Sequence, residues 1–221
     1  MCHLYGNLLN TYGDVGNLMA FEYELKKLGI QTERKIVSIG DDFKESDYDF
    51  VFFGGGQDYE QSIVKEDLIK KRDELVRYIE NNGLFLAICG GYQLLGKYYY
   101  DAYGNKIEGL SIFDHYTVNQ DSKNRFTGQI KIQVDSFDEI CLGFENHGGR
   151  TFLSDKQKAF GKVLEGNGNN GEDNSEGFIY KNTIGTYLHG PILARNENLC
   201  KKIIEKIFKE NNYDVRIKTK N

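Results

Sequence analysis

The 221 residues suffice for one substantial core, and a formal charge of −5 over 28 basic and 33 acidic side chains, with no basic block, argues against nucleic acid or an anionic membrane as partner. No apolar run approaches the roughly 20 residues that span a bilayer, and Met1-Cys2-His3-Leu4-Tyr5-Gly6 lacks the basic and apolar regions of a signal peptide, so a cytoplasmic protein is expected. The cysteines at 2, 89, 141 and 200 lie far apart without a Cys-x-x-Cys pair and are read one by one.

The first half alternates short β-type runs with helical patterns, the mark of βαβ units and a largely parallel sheet. Strands are predicted at Cys2 to Tyr5, Gln31 to Val37, Phe50 to Phe53 and Leu84 to Ile88, the last two being continuous apolar runs suited to burial on both faces. Helices are predicted at Gly16 to Leu28, stopped by Gly29, and at Gln61 to Asn81, where Val64, Leu68, Leu75 and Ile79 recur on one face. From about Tyr99 to Tyr187 short β-runs take over, among them Phe126 to Val134, Ile140 to Phe144, Phe160 to Leu164 and Thr183 to Leu188. Gly166 to Gly177, GNGNNGEDNSEG, has almost no apolar residue and reads as an exposed loop. An amphipathic helix at about Asn196 to Glu210 precedes a weakly held tail. One α/β domain over 1–210 with a β-rich second half is therefore expected, with 211–221 outside it.

The strongest chemical signal is Leu84-Phe85-Leu86-Ala87-Ile88-Cys89-Gly90-Gly91-Tyr92-Gln93, a buried strand that ends at a cysteine and turns at once into a helix through small residues. Such an elbow projects its apex side chain into a cleft, and at a helix N-terminus the unpaired N–H groups favour a thiolate. A structural cysteine has no need of two following glycines, each of which weakens a helix by about 1 kcal/mol relative to alanine. Cys2, Cys141 and Cys200 read instead as core residues.

A second glycine cluster, Gly54-Gly55-Gly56, follows the strand Phe50 to Phe53, so both clusters should emerge at the same carboxyl edge of a parallel sheet, where such sheets bind ligands. Its N–H groups, with that of Gly90, suit an oxyanion hole; with no Lys-Ser/Thr after it, a phosphate cradle is disfavoured. Two histidines compete as general base: His189, closing the run Gly185-Thr186-Tyr187-Leu188, and His147, in Glu145-Asn146-His147-Gly148-Gly149. Their spacing alone does not separate them. No metal is expected, because the cysteine and histidine spacings match no usual ligand set.

Cys89-Gly90-Gly91-Tyr92-Gln93 has the Cys-x-Gly-x-Gln pattern of class I glutamine amidotransferases, and Gly143 to Arg150 with Thr186 to Pro191 resembles the cobyric-acid-synthase branch of that family. Adding Tyr12-Gly13-Asp14-Val15-Gly16-Asn17 and Gly54-Gly55-Gly56-Gln57-Asp58-Tyr59-Glu60-Gln61, the whole resembles the glutaminase subunits of lipid II isoglutaminyl synthases over nearly the full chain. The resemblance implies a flavodoxin-like, mostly parallel sheet flanked by helices. It implies Cys89 as nucleophile, His189 as base, Gly55 and Gly90 as oxyanion donors, and Arg125, Gln93, Asn146 and His147 as substrate-binding residues. It further implies glutamine hydrolysis through a thioester, and delivery of ammonia to a MurT-like Mur-ligase-family subunit in a heterodimer. That partner would use ATP and Mg to amidate the D-glutamate of lipid II; no cofactor is implied in this chain. Two departures stand out. Pro191 occupies the position where many class I enzymes carry a glutamate that orients the histidine, so a Cys/His dyad is expected, and Ala87 replaces a glycine two residues before the nucleophile. A cobalamin-pathway amidotransferase subunit and a non-catalytic regulatory subunit of the same fold are the competing readings.

Overall fold

Strand β3 (Phe50–Phe53) shows how the core is organised. All four residues are buried, Val51 and Phe53 in one apolar cluster and Phe50 and Phe52 in another, so the strand's period of two feeds a core on each face of the sheet. Strand β4 (Leu84–Ile88) repeats the pattern, with Phe85 and Ala87 on the first side and Leu84, Leu86 and Ile88 on the second. In the computed structural model, which describes residues 1–101, 103–119 and 124–210, the two strands pair in parallel at the centre of a six-stranded sheet. Strands β1 (Cys2–Leu4) and β2 (Lys35–Val37) extend it on one side. On the other lie β14 (Thr183–Thr186) and β13 (Phe178–Tyr180), the last being antiparallel. The parallel strands run β2, β1, β3, β4, β14 in space, the flavodoxin-like order expected.

Helix α2 (Asp58–Glu80) covers the first face with Val64, Leu68, Leu75 and Ile79. It starts before the expected Gln61 because Asp58 and Glu60 occupy its first turn, where acidic side chains suit the helix dipole. Helices α1 (Gly16–Lys27) and α5 (Glu197–Glu210) cover the second face with Leu18, Phe21, Leu25, Leu199 and Ile203. The expected tail, 211–221, lies outside the described residues. No helix among the described residues is long and apolar enough to cross a membrane.

Between β4 and β14 the chain builds two antiparallel-rich sheets. One joins β10 (Gly149–Phe152), β7 (Tyr116–Asn119), β5 (Tyr98–Tyr100) and β6 (Lys106–Glu108). The other joins β12 (Ser175–Glu176), β11 (Gly161–Glu165), β8 (Phe126–Val134) and β9 (Glu139–His147). The register of β8 on β9 sets Phe126 opposite His147 and Thr127 opposite Asn146, which brings Arg125 beside both.

Residues 166–177 correct the expectation of an exposed loop. Gly166 and the tip, 171–174, are exposed; Asn169, Asn170 and Glu176 are buried, and Ser175–Glu176 forms β12 against β11. The composition argument fails because this segment satisfies its polar groups internally instead of with water. Glu145, buried on β9, accepts from the Asn167 and Gly168 backbone N–H groups at 3.1 Å each. Asn169 exchanges hydrogen bonds with the backbone of Gly177 and accepts one from the Tyr92 hydroxyl at 3.2 Å. Glu176 accepts from Tyr187 N at 2.7 Å and from the Thr186 hydroxyl, securing the chain where it leaves β14.

Replacing Glu145 by alanine strands those N–H groups in a buried place, so Glu145→Ala should lower the denaturant unfolding free energy by about 2–4 kcal/mol. The same change at exposed Glu165 should stay within about 0.5 kcal/mol. Burial pushes the Glu176 carboxyl up to about 8 against the pull of its hydrogen bonds. Between the ordinary carboxylate value and pH 8 the folded chain thus binds more protons at this site than the unfolded one, and its contribution to stability falls as pH rises. Glu176→Gln should flatten that slope in unfolding measured from pH 5 to 8; an unchanged slope would exclude Glu176 as its source.

Candidate active site

Because β3 and β4 are parallel neighbours, Gly54 to Gly56 and Cys89 leave the sheet at the same carboxyl edge. Cys89 sits between β4 and α3 (Gly90–Leu95) at φ 50°, ψ −105°, a backbone region that costs a non-glycine residue about 1–3 kcal/mol. The turn is held from both sides: Cys89 N donates to Thr186 O at 2.9 Å, and Cys89 O accepts from Gln93 N at 2.9 Å. Small residues are needed here. A Cβ on Gly91 would lie 2.5 Å from Phe53 O, and one on Gly55 would lie 3.2 Å from Cys89 Cβ and 3.4 Å from His189 Cε1. Ala87 keeps a negative φ inside β4, as that substitution requires. Among the described residues the N–H groups of Gly55 and Gly90 have no hydrogen-bond acceptor, and Thr11 N holds the Gly55 carbonyl at 3.0 Å.

The histidine is placed by two independent ties. Its backbone exchanges hydrogen bonds with Phe144 of β9, at 2.8 and 3.0 Å, and its ring Nδ1 lies 3.0 Å from Asp14 Oδ2. Both side chains are buried, His189 at 1% and Asp14 at 0% exposure. The Cys/His dyad expected from Pro191 is therefore corrected: an acid does orient His189, but it comes from the loop after β1. Pro191 serves that loop in another way. It packs on Gly16, where a Cβ would approach its Cγ to 2.5 Å. Just beyond it, Leu193 N donates to Asn17 Oδ1 at 2.9 Å, while Asn17 Nδ2 donates to Asp14 O at 3.0 Å. Burial opposes a charge on His189, yet Asp14 and the facing Cys89 outweigh it and raise the imidazole to about 10.

His147, the rival base, lies in a different environment. Its Nδ1 is 2.8 Å from Gly149 O, its ring stacks on Tyr187 at 3.7 Å, and among the described residues no carboxylate pairs with it. Burial first, helped by the positive charges of Arg150, His189 and Arg125, lowers its imidazole to about 3, so it stays neutral at pH 7. The geometry thus separates two histidines that spacing left equal.

A cavity of about 310 Å³ opens over Cys89 and His189. Its walls include Gly55, Gln93, Arg125, Asn146 and His147, so the structure gathers these sequence-selected residues around one space; Gly90 stands beside them as the first residue of α3. Gln93 donates to the Tyr187 hydroxyl at 3.1 Å and accepts from Gln61 at 3.3 Å. Asn146 bridges Arg125, which donates to its Oδ1 at 3.0 and 3.1 Å, and the Tyr12 hydroxyl, to which it donates at 2.7 Å. Asp14, Tyr12, Gln61 and Tyr99 also join the site, with no role for them legible in the sequence alone. For Asp14 the sequence carries only a local signal, an acid between two glycines in Tyr12-Gly13-Asp14-Val15-Gly16-Asn17.

The description of CobB/CobQ-like glutamine amidotransferase domains fits residues 1–197. The chain is 55% identical to the lipid II isoglutaminyl synthase (glutamine-hydrolyzing) subunit GatD of Streptococcus pneumoniae, over 95% of this chain and 80% of that one. It is 42% identical to the same-named subunit of Staphylococcus aureus, over 92% and 82%. A PurLQS structure from Thermotoga maritima superposes with a TM-score of 0.63 at 16% identity, covering 95% of this chain and 97% of that one, which bears on the fold alone. With the elbow cysteine, the buried histidine and the paired glycine loops in place, the chain belongs to the CobB/CobQ-like glutamine amidotransferases.

Proposed function

We propose that this chain is the glutaminase subunit of a lipid II isoglutaminyl synthase. The observation that carries the reading is Cys89 on a strained elbow, beside a histidine paired with a buried acid and two unbonded glycine N–H groups. Cys89 as thiolate attacks the side-chain amide carbon of glutamine, and the N–H groups of Gly55 and Gly90 receive the oxyanion. His189, held charged by Asp14, gives its proton to the departing nitrogen as the C–N bond breaks, releasing ammonia and leaving a glutamyl thioester. The same imidazole then takes a proton from water, whose oxygen attacks the thioester, and glutamate leaves as Cys89 is restored. Arg125 offers a cation for the α-carboxylate, and neutral His147 and Gln93 complete the walls.

Ammonia released into bulk water would be protonated and lost as a nucleophile, so the reaction needs a covering partner. The names of the relatives support a synthase of more than one subunit, and the partner is a MurT-like Mur-ligase-family protein in a heterodimer. It activates the D-glutamate carboxylate of lipid II and holds the ATP and Mg that this step needs. The place of work is the cytoplasm, where the lipid-linked precursor is assembled.

Ammonia release from glutamine, measured with and without the co-expressed ligase subunit, should disappear in Cys89→Ala. Release that survives in that variant would rule out the thioester route. Asp14→Asn should lower kcat/KM by roughly 10²–10⁴-fold. Because Asp14 raises the His189 pKa, the same variant should also move the alkaline limb of the pH profile to lower pH; an unmoved limb would show that Asp14 does not set the protonation of His189.

A further inference from the structure

Asn17 is the second residue of α1 and is fully buried, in a largely apolar contact with α4 (Ile192–Arg195): Leu18, Ile192 and Leu193 belong to the core cluster on that face of the sheet. A buried amide is costly in such a place unless its hydrogen bonds are made, and a packed apolar side chain would avoid the cost. Here both ends of the amide are used. Its nitrogen donates to Asp14 O at 3.0 Å, the same carbonyl that accepts from Asn17 N at 2.9 Å. Its oxygen accepts at 2.9 Å from Leu193 N, a first-turn N–H that a helix cannot pair internally.

These two bonds close a ring. Leu193 lies four positions after His189, the Asn17 amide joins Leu193 to Asp14, and Asp14 Oδ2 returns to His189 Nδ1 at 3.0 Å. Without the amide, the loop that carries Asp14 keeps the packing of Gly16 on Pro191 but loses this polar tie to the chain that carries the histidine. His189 is separately fixed by its backbone bonds to Phe144, so the freedom gained falls on the acid. Asn17 itself is not among the walls of the Cys89 cavity.

We propose that Asn17 is a positioning residue for the reaction: it holds Asp14 against His189 and thereby sets the rate of the proton transfers without touching the substrate. This rests on the glutaminase reading and adds a residue behind the acid. A misplacement of about 1 Å in such a pair is enough to cost about 100-fold in rate. The titratable groups that meet or act on His189, namely Asp14, Cys89, His147, Glu176 and Tyr12, are all retained when Asn17 is replaced, so a moved pKa reports where the acid stands.

The test is a double-mutant cycle on the chain with its ligase partner. Asn17→Ala should lower kcat for ammonia release by about 10–100-fold and leave KM for glutamine within about twofold. It should also move the alkaline limb of the pH profile to lower pH, because an acid that has drifted supports the imidazolium less. In the Asp14→Asn background the same change should cost less than about twofold, since no acid is left to place. Equal losses in both backgrounds, or an unmoved limb, would overturn the proposal. Asn17→Ser leaves a smaller gap and serves the same cycle should Asn17→Ala fail to fold. If the wild type released no ammonia, the glutaminase reading would fall instead. The deshielded Nδ1 proton of His189 in NMR would then decide the tie alone: a signal shifted or lost in Asn17→Ala supports it, and an unchanged one overturns it.

Discussion

The parallel pairing of β3, β4 and β14 is the constraint on which the site depends. Phe53 lies opposite Ala87, and Ala87 opposite Gly185, so the three strands end level with one another. The Gly54 to Gly56 loop, Cys89 and His189 each follow one of those ends. The bond from Cys89 N to Thr186 O ties the elbow to the histidine strand at the point where both leave the sheet. A slip of one residue in any of these pairings would turn its whole apolar set to the other face and lose a core, so packing fixes the register of the site.

The orienting acid reaches this edge from the far side of the sheet order. The loop after β1 brings Asp14 to His189, and the chain just beyond the histidine grips that loop in return, through Pro191 on Gly16 and Leu193 on Asn17. A proline offers neither charge nor side-chain hydrogen bond, but its ring packs against Gly16, where any Cβ would collide with it. The orientation of the imidazole has thus passed from a neighbour in sequence to a neighbour in space.

Much of what supports the site is buried and polar. The run from Gln61 through Gln93, Tyr187 and Thr151 to Thr117 lines one side of α3, with Thr151 and Tyr187 hydroxyls 2.6 Å apart and Thr151 and Thr117 2.7 Å apart. Segment 166–177 adds Glu176 and Asn169 behind β14 and Tyr92, and is itself held by Glu145 of β9. Such networks rigidify when every member is paired.

The amino-acid sequence by itself determined the α/β class, the strands Phe50 to Phe53 and Leu84 to Ile88, the elbow at Cys89 and the partnership of the two glycine loops. These are local matters: hydrophobic periodicity, glycine placement and the ends of adjacent runs record them directly. Tertiary structure alone decided the rest. Asp14 and His189 are 175 positions apart, so no spacing rule could pair them, and His147 differs from His189 only in what folds around it. The composition of Gly166 to Gly177 recorded polarity correctly but not its burial, because polar side chains are buried when their partners are other parts of the chain, and those partners exist only once the chain has folded.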